Sequence, residues 1–230
     1  SGTTYAGTIL KAPLTVTANN DARFVTQTDN PNYAGVSYSG FVHGETSSVL
    51  GGALSFLRST PSVNAAGSYT LTPKDLSSTN YDIQYRAGTY TIVPANQLLV
   101  RVADGTSVYG ASPSYNITSA QYVMPDNSLI DLTNQLSLSG GLYSLNDGAS
   151  GTAHFALGLS SPTLSASGTP NVGVWNIGYS GATTTSPNFS NTLTMVGTQT
   201  ITPRNLTVTA TAANKPYDGT TTATVTLADN

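Results

Sequence analysis

Cysteine is absent from this 230-residue chain, histidine occurs twice, and Lys, Arg, Asp and Glu together make up 8% of it, against about a quarter of an ordinary soluble domain. The missing thiols exclude disulfides, thiolate zinc sites and thiol catalysis. Two histidines leave little for acid–base or metal chemistry. Eight Lys+Arg against 11 Asp+Glu, a net charge of −3, exclude the clustered basic surface that nucleic acid requires and any polybasic membrane patch. No apolar run approaches the roughly 18–20 residues of a membrane span, and the N-terminus lacks the charged-then-apolar pattern of a signal peptide. Long helices are also disfavoured, because Ser, Thr and Gly replace the usual Ala, Leu, Glu and Lys.

What remains is material for strands and turns. Thr15 and Thr17 alternate with Leu14, Val16 and Ala18; Tyr69 and Leu71 alternate with Ser68, Thr70 and Thr72; Tyr90 and Ile92 alternate with Thr89 and Thr91. A period of two means half-buried strands. Turns are marked by Asp29-Asn30-Pro31, Asp104-Gly105, Asn146-Asp147-Gly148 and Asp218-Gly219. The helical suggestions are one turn near Gly44–Leu50 and a second near Asp126–Leu132.

The chain repeats itself. Leu-Thr-Val-Thr-Ala occurs at Leu14–Ala18 and Leu206–Ala210, with a degenerate copy at Leu99–Ala103. Each copy follows a second phrase: Gly7–Pro13, Gly88–Pro94 and Gly197–Pro203. Between them, Phe24 aligns with Tyr109, Leu54-Ser55-Phe56 with Leu136-Ser137-Leu138, and Gly67–Leu71 with Gly173–Ile177. The organisation expected is therefore the tail of a preceding repeat (1–13), a complete repeat (14–95), a second with an insertion at about 139–170 (96–203), and the start of another (204–230). The end segments are too short for cores of their own and are expected to pack on the complete repeats. Six or seven short strands per repeat predict an all-β fold, tandem small β-sandwich domains of immunoglobulin type, with a β-grasp-like repeat carrying one short helix as the alternative. The short joints, with Pro13, Pro94 and Pro203 fixing φ, predict end-to-end alignment into an elongated rod.

Pro31-x-Tyr33, Ser39-Gly40-Phe41-Val42-His43-Gly44-Glu45-Thr46, Gly67-x-Tyr69, Asn80-Tyr81-x-Ile83 and Gly88-Thr89-x-x-Ile92-x-Pro94, following Leu14–Ala18, form a pattern that resembles the MBG repeats of large bacterial surface proteins. Tyr109-Gly110-Ala111 resembles their YGX signature, and Lys215–Thr221 resembles the opening of a YDG repeat. The first repeat departs from the signature, with Phe24-Val25-Thr26 in its place. The resemblance implies a large secreted adhesin of the filamentous-haemagglutinin kind, exported by two-partner secretion, acting at the bacterial cell surface in attachment or biofilm. It implies a stalk or spacer role for such repeats and brings no catalytic residue with it.

No enzyme is expected: His43 and His154 sit in different repeats without matching partners, and Glu45 lacks a second carboxylate at glycosidase spacing. No cofactor is implied, although calcium could be held by Asp21, Asp104 and Asp218, one early-loop carboxylate per repeat, if they converged. The partners expected are neighbouring repeats of the same chain, with extracellular polysaccharide or a host or matrix protein as further ones. The rival function is a carbohydrate- or protein-binding module using Tyr143, Asn146, Asp147, His154 and Phe155 in the insertion, on a hairpin pairing 142–145 with 153–157.

Overall fold

The computed structural model describes residues 7–149 and 151–229. The alternating segments of the first repeat form β1 (Ala12–Ala18), β2 (Asp21–Phe24), β3 (Val36–Ser39), β4 (Gly51–Arg58), β5 (Gly67–Ser77), β6 (Tyr81–Arg86) and β7 (Gly88–Val93), with one 3-10 turn at Ser47–Val49. The second repeat contains β8 (Leu98–Val102), β9 (Gly105–Val108), β10 (Ile117–Val123), β11 (Leu129–Asp131), a 3-10 turn at Thr133–Gln135, β12 (Leu136–Ser139) and β13 (Leu142–Asn146). It closes with β14 (Thr152–Leu159), β15 (Gly173–Thr184), β16 (Leu193–Val196) and β17 (Thr198–Thr202).

Each repeat is two half-sheets joined by strands that pass from one to the other. In the first repeat the order is β3-β1-β6 in one half and β2-β7-β5-β4 in the other. β1 pairs with β6 in parallel, and so does β2 with β7. The second repeat places β8 beside β16 and β9 beside β17 in the same parallel manner. This central parallel pair departs from the antiparallel immunoglobulin-type sandwich. The helical content of each repeat is one three-residue 3-10 turn with no buried residue.

At the crossing the two backbones nearly touch. A Cβ on Gly88 would lie 2.4 Å from the Ala18 carbonyl oxygen, and one on Gly197 would lie 2.5 Å from that of Val102. The same brace sits beside both glycines. Asn20 Oδ1 accepts the Thr89 amide at 2.8 Å, and Asp104 Oδ1 accepts the Thr198 amide at 2.8 Å. These matches set the true correspondence of the repeats: Leu14, Val16 and Ala18 align with Leu98, Val100 and Val102, all six buried. The copy expected at Leu99–Ala103 is therefore displaced by one residue. Burial decides this, because a one-residue slip would turn the apolar set outward.

The insertion is displaced too. Arg58 pairs with Leu71, and Leu159 pairs with Ile177, so the counterpart of Leu54–Phe56 is Phe155–Leu157 rather than Leu136–Leu138. Most of the extra residues enter before β14, as β11, β12 and β13, and only a few lie in the β14–β15 loop, in place of a block at 139–170.

The cores differ in chemistry. The second repeat packs Leu98, Val100, Tyr122, Tyr143, Leu145, Phe155 and Ile177 into one apolar cluster. The first divides its apolar residues between Leu14, Val16 and Tyr81 in one half and Leu71, Tyr90 and Ile92 in the other. It also buries two cations: Arg23 is 4% exposed and Arg58 2%. Asp29 accepts from both Nε atoms, at 2.5 and 2.8 Å, and from the Tyr90 hydroxyl at 3.1 Å. The remaining Arg58 donors reach the carbonyls of Thr60, Pro61 and Val63, and its guanidinium lies 4.9 Å from the Tyr69 ring centre.

Beyond Pro203 the strands among the described residues are the hairpin of β18 (Val208–Ala212) and β19 (Val225–Asp229), paired with each other and exposed along their length. The expectation that this end packs on a complete repeat is not met.

Partial burial pushes the Asp29 carboxyl up, but the hydrogen bonds and charges of Arg23 and Arg58 outweigh it and hold it below its ordinary value. A depressed carboxylate stabilises the fold above its unfolded pKa of about 3.9, and that stabilisation disappears as pH falls through the lower folded value. Acid titration followed by near-ultraviolet circular dichroism should therefore destabilise the first repeat below about pH 4. Asp29→Ala should cost about 3 kcal/mol in urea unfolding at neutral pH, because it strands two buried guanidinium groups, and should remove most of the acid sensitivity.

Candidate functional site: the junction between repeats

Few residues separate the repeats, and they reverse the chain. Pro94 fixes one φ, and Asn96 adopts a left-handed φ of 60° of the kind asparagine tolerates. Asn96 is held to the second repeat at both backbone groups: its amide donates to Val123 at 2.9 Å and its carbonyl accepts from Ser190 at 3.0 Å. The second repeat consequently runs back beside the first. Phe24, Ala22 and Val93 pack with Leu99, Val123 and Val196 in one buried cluster. Further along, Arg101 donates to Asp21 at 3.1 Å and to the Ala22 carbonyl. Further still, the Asn20 amide lies 3.4 Å from Asn176 Oδ1. Contacts thus climb the first repeat's opening strand backwards as the second repeat's advances. The repeats lie side by side, and the end-to-end alignment expected from the prolines is not what the joint makes.

This seam can transmit orientation. Phe24 and Leu99 are 0% and 3% exposed, and truncating such a side chain costs about 2–5 kcal/mol. The ion pair adds little by itself, since Arg101 is 39% exposed and solvent screens it. Its contribution is direction: a carboxylate 8% exposed has its cation supplied by the other repeat.

The residues expected to bind calcium are engaged separately. Asp21 meets Arg101, Asp104 caps Thr198, and Asp218 accepts from Lys215 at 2.8 Å. Among the described residues no three His, Cys, Asp or Glu side chains cluster as a metal site.

The hairpin expected in the insertion exists. Tyr143 faces Phe155, Ser144 faces His154, and Asn146 faces Thr152. Its aromatics do not form a platform, however. Tyr143 and Phe155 are 9% and 0% exposed and stack with centroids 5.7 Å apart inside the core, the Tyr143 hydroxyl donating to the Tyr115 carbonyl. Asp147 is buried as well. It accepts from the amides of Ala149 and Gly151 and from the Ser186 hydroxyl at 2.7 Å, tying the hairpin turn to the loop before β16. Those bonds, Ser186 foremost, hold its carboxyl below the ordinary value. Asn146 is exposed, and His154, half-buried, lies between the hydroxyls of Ser144 and Thr152. Of the five candidates, only Asn146 and His154 reach the surface.

Residues 14–91, about a third of the chain, match the family model of the MBG domain (YGX type). That match runs through the first repeat from β1 into β7. No curated protein matches the chain. MBG domains are associated with adhesin-like extracellular proteins. Among the described residues no helix is long and apolar enough to cross a membrane. The repeat matched is the one with Phe24-Val25-Thr26 in place of the Tyr-Gly-x triplet. Arg23, Arg58 and Arg101 were not singled out by sequence reasoning. The signal available was scarcity: in a chain with eight cations, an arginine inside an alternating strand is an anomaly to be explained.

Leu99→Asp should place a charge in the seam and uncouple the repeats, splitting one calorimetric transition into two while each half keeps its circular dichroism. Asp147→Ala should lower the second transition by several degrees, an effect of about 1–3 kcal/mol from the amides and hydroxyl left unpaired; an Asn146→Ala control should leave it unchanged.

Proposed function

We propose that this chain is a spacer segment from the repeat region of a large secreted bacterial cell-surface adhesin of the two-partner-secretion kind, serving attachment or biofilm. One observation carries the reading: successive repeats are locked to each other by a buried seam of Phe24, Val93, Leu99 and Val196 across a joint of four residues. A recognition module needs an exposed, convergent set of groups, whereas a spacer needs a fixed angle between neighbours.

The shape proposed differs from a straight rod of sandwich domains. The opening strand of each repeat, β1 with β2, spans residues 12–24, roughly 40 Å at about 3.3 Å per residue. Because opening and closing strands run in parallel, the chain leaves each repeat at the end opposite to where it began. With a reversing joint, alternate repeats run up and down, and an array advances by the width of a repeat. Such a stack is elongated in the way of solenoids, each unit contacting only its neighbours.

The role is read as non-enzymatic. His43 and His154 lie in different repeats, and the side-chain partners of His154 are hydroxyls of Ser144 and Thr152. The insertion's buried Tyr143 and Phe155 weigh against the binding-module reading.

Small-angle scattering of chains carrying one, two and four such repeats should give a maximum dimension that stays nearly constant from one to two and then grows linearly. A dimension that rises by roughly 40 Å with each added repeat would instead support the straight rod.

A further inference from the structure

Where the second repeat folds back, its strands and those of the first enclose an open cleft of about 410 Å³ along the seam. One wall is Thr17, Ser37, Tyr38 and Ser39; the other is Val174, Asn176 and Thr200. Past Tyr38 the cleft continues into a second stretch of about 440 Å³ that shares Ser37, Tyr38, Val174 and Thr200 and reaches the 3-10 turn of the first repeat. The two stretches form one groove between repeats whose mutual orientation the Phe24–Leu99 cluster holds.

Its chemistry is selective. None of the side chains lining the 410 Å³ stretch is charged. In the continuation the two carboxylates present are already engaged, Glu45 by the Tyr81 hydroxyl and Asp104 by Thr198. Thr17, Ser39 and Thr200 line the groove, and among the described residues their hydroxyls make no hydrogen bond. Beside these hydroxyls lies the apolar side chain of Val174, paired with Thr200, whereas the Tyr38 ring turns to the other face of β3, toward Val16 and Phe41.

We propose that this inter-repeat groove binds a neutral polysaccharide chain. Uncommitted hydroxyls match the hydroxyls of a sugar, the Val174 side chain matches the C–H face of a ring, and the absence of free charge disfavours uronates, sulfated glycans and ionic peptides. A cleft that runs on from one stretch into the next suits a polymer, where a closed pocket would suit a small molecule. A preformed cleft also spares the ordering cost that weakens flexible sites. No residue of the insertion hairpin lines the groove, and a spacer that also held matrix polysaccharide would do so once per pair of repeats.

The test is nuclear magnetic resonance titration of the full chain with dextran and with laminarin, using hyaluronate and a neutral extended peptide as comparisons. Shifts confined to Thr17, Tyr38, Ser39 and Thr200 with a neutral glucan are expected. Ser39→Trp, at an exposed position, and Thr200→Trp should each weaken binding at least about tenfold, while Asn146→Trp on the insertion hairpin should not. Thermal melting of each variant checks that the fold is kept. The proposal is overturned if neither glucan shifts these residues at millimolar concentration, if both groove variants bind as the unaltered chain does, or if only hyaluronate or the peptide binds.

Discussion

Parallel pairing of the first and last strands of each repeat is the constraint on which the remaining structure depends. It makes both strands cross between half-sheets at one point, and there two backbones approach so closely that only glycine fits, at Gly88 and at Gly197. The crossing leaves an amide that needs an acceptor, supplied by Asn20 in one repeat and Asp104 in the other. It also sends the chain out at the far end of the repeat. Whatever follows must begin there, so the joint alone decides whether an array runs straight or folds back. Here Asn96 turns it back, and Phe24 meets Leu99.

The poverty of charge acquires a physical account from the same geometry. Outward positions of alternating strands carry Thr and Ser, which satisfy the pleat's exposed face without charge. The few charges present are placed where they fix structure. Arg23 and Arg58 share Asp29 inside the first repeat, Arg101 and Asp21 bridge the two repeats, and Asp147 secures a turn. A buried ionic core in one repeat and an apolar core in the other are two solutions to filling the same framework, since Arg58 occupies the position held by Leu159 in the second repeat.

Much of the fold was legible in the sequence because period-two alternation is a local property. The strands, the hairpin of Tyr143 with Phe155, the repeat and the family all follow from residues near one another in the chain. Errors arose where a decision depended on distant pairing. The phrases beginning at Leu98 and at Leu99 match Leu14–Ala18 at two positions each, and burial together with pairing to β16 decides between them. The insertion moved for the same reason, Leu136–Leu138 resembling a strand whose real counterpart is Phe155–Leu157. Tyr143 and Phe155 looked free to bind because they had no equivalent in the first repeat, whereas the added strands had created a larger core that needed them. The joint was misjudged because proline fixes one φ, while the left-handed Asn96 beside it determines where the chain goes next.

The central claim, that a buried seam fixes the second repeat alongside the first, is tested most directly by a distance between them. The natural absence of cysteine allows two spin labels to be placed without background, at Thr70→Cys on β5 and Ser137→Cys on β12, both exposed. Double electron–electron resonance should give one narrow distance distribution that broadens when Leu99→Asp is added. A broad distribution in the otherwise unaltered chain, insensitive to Leu99→Asp, would contradict the account.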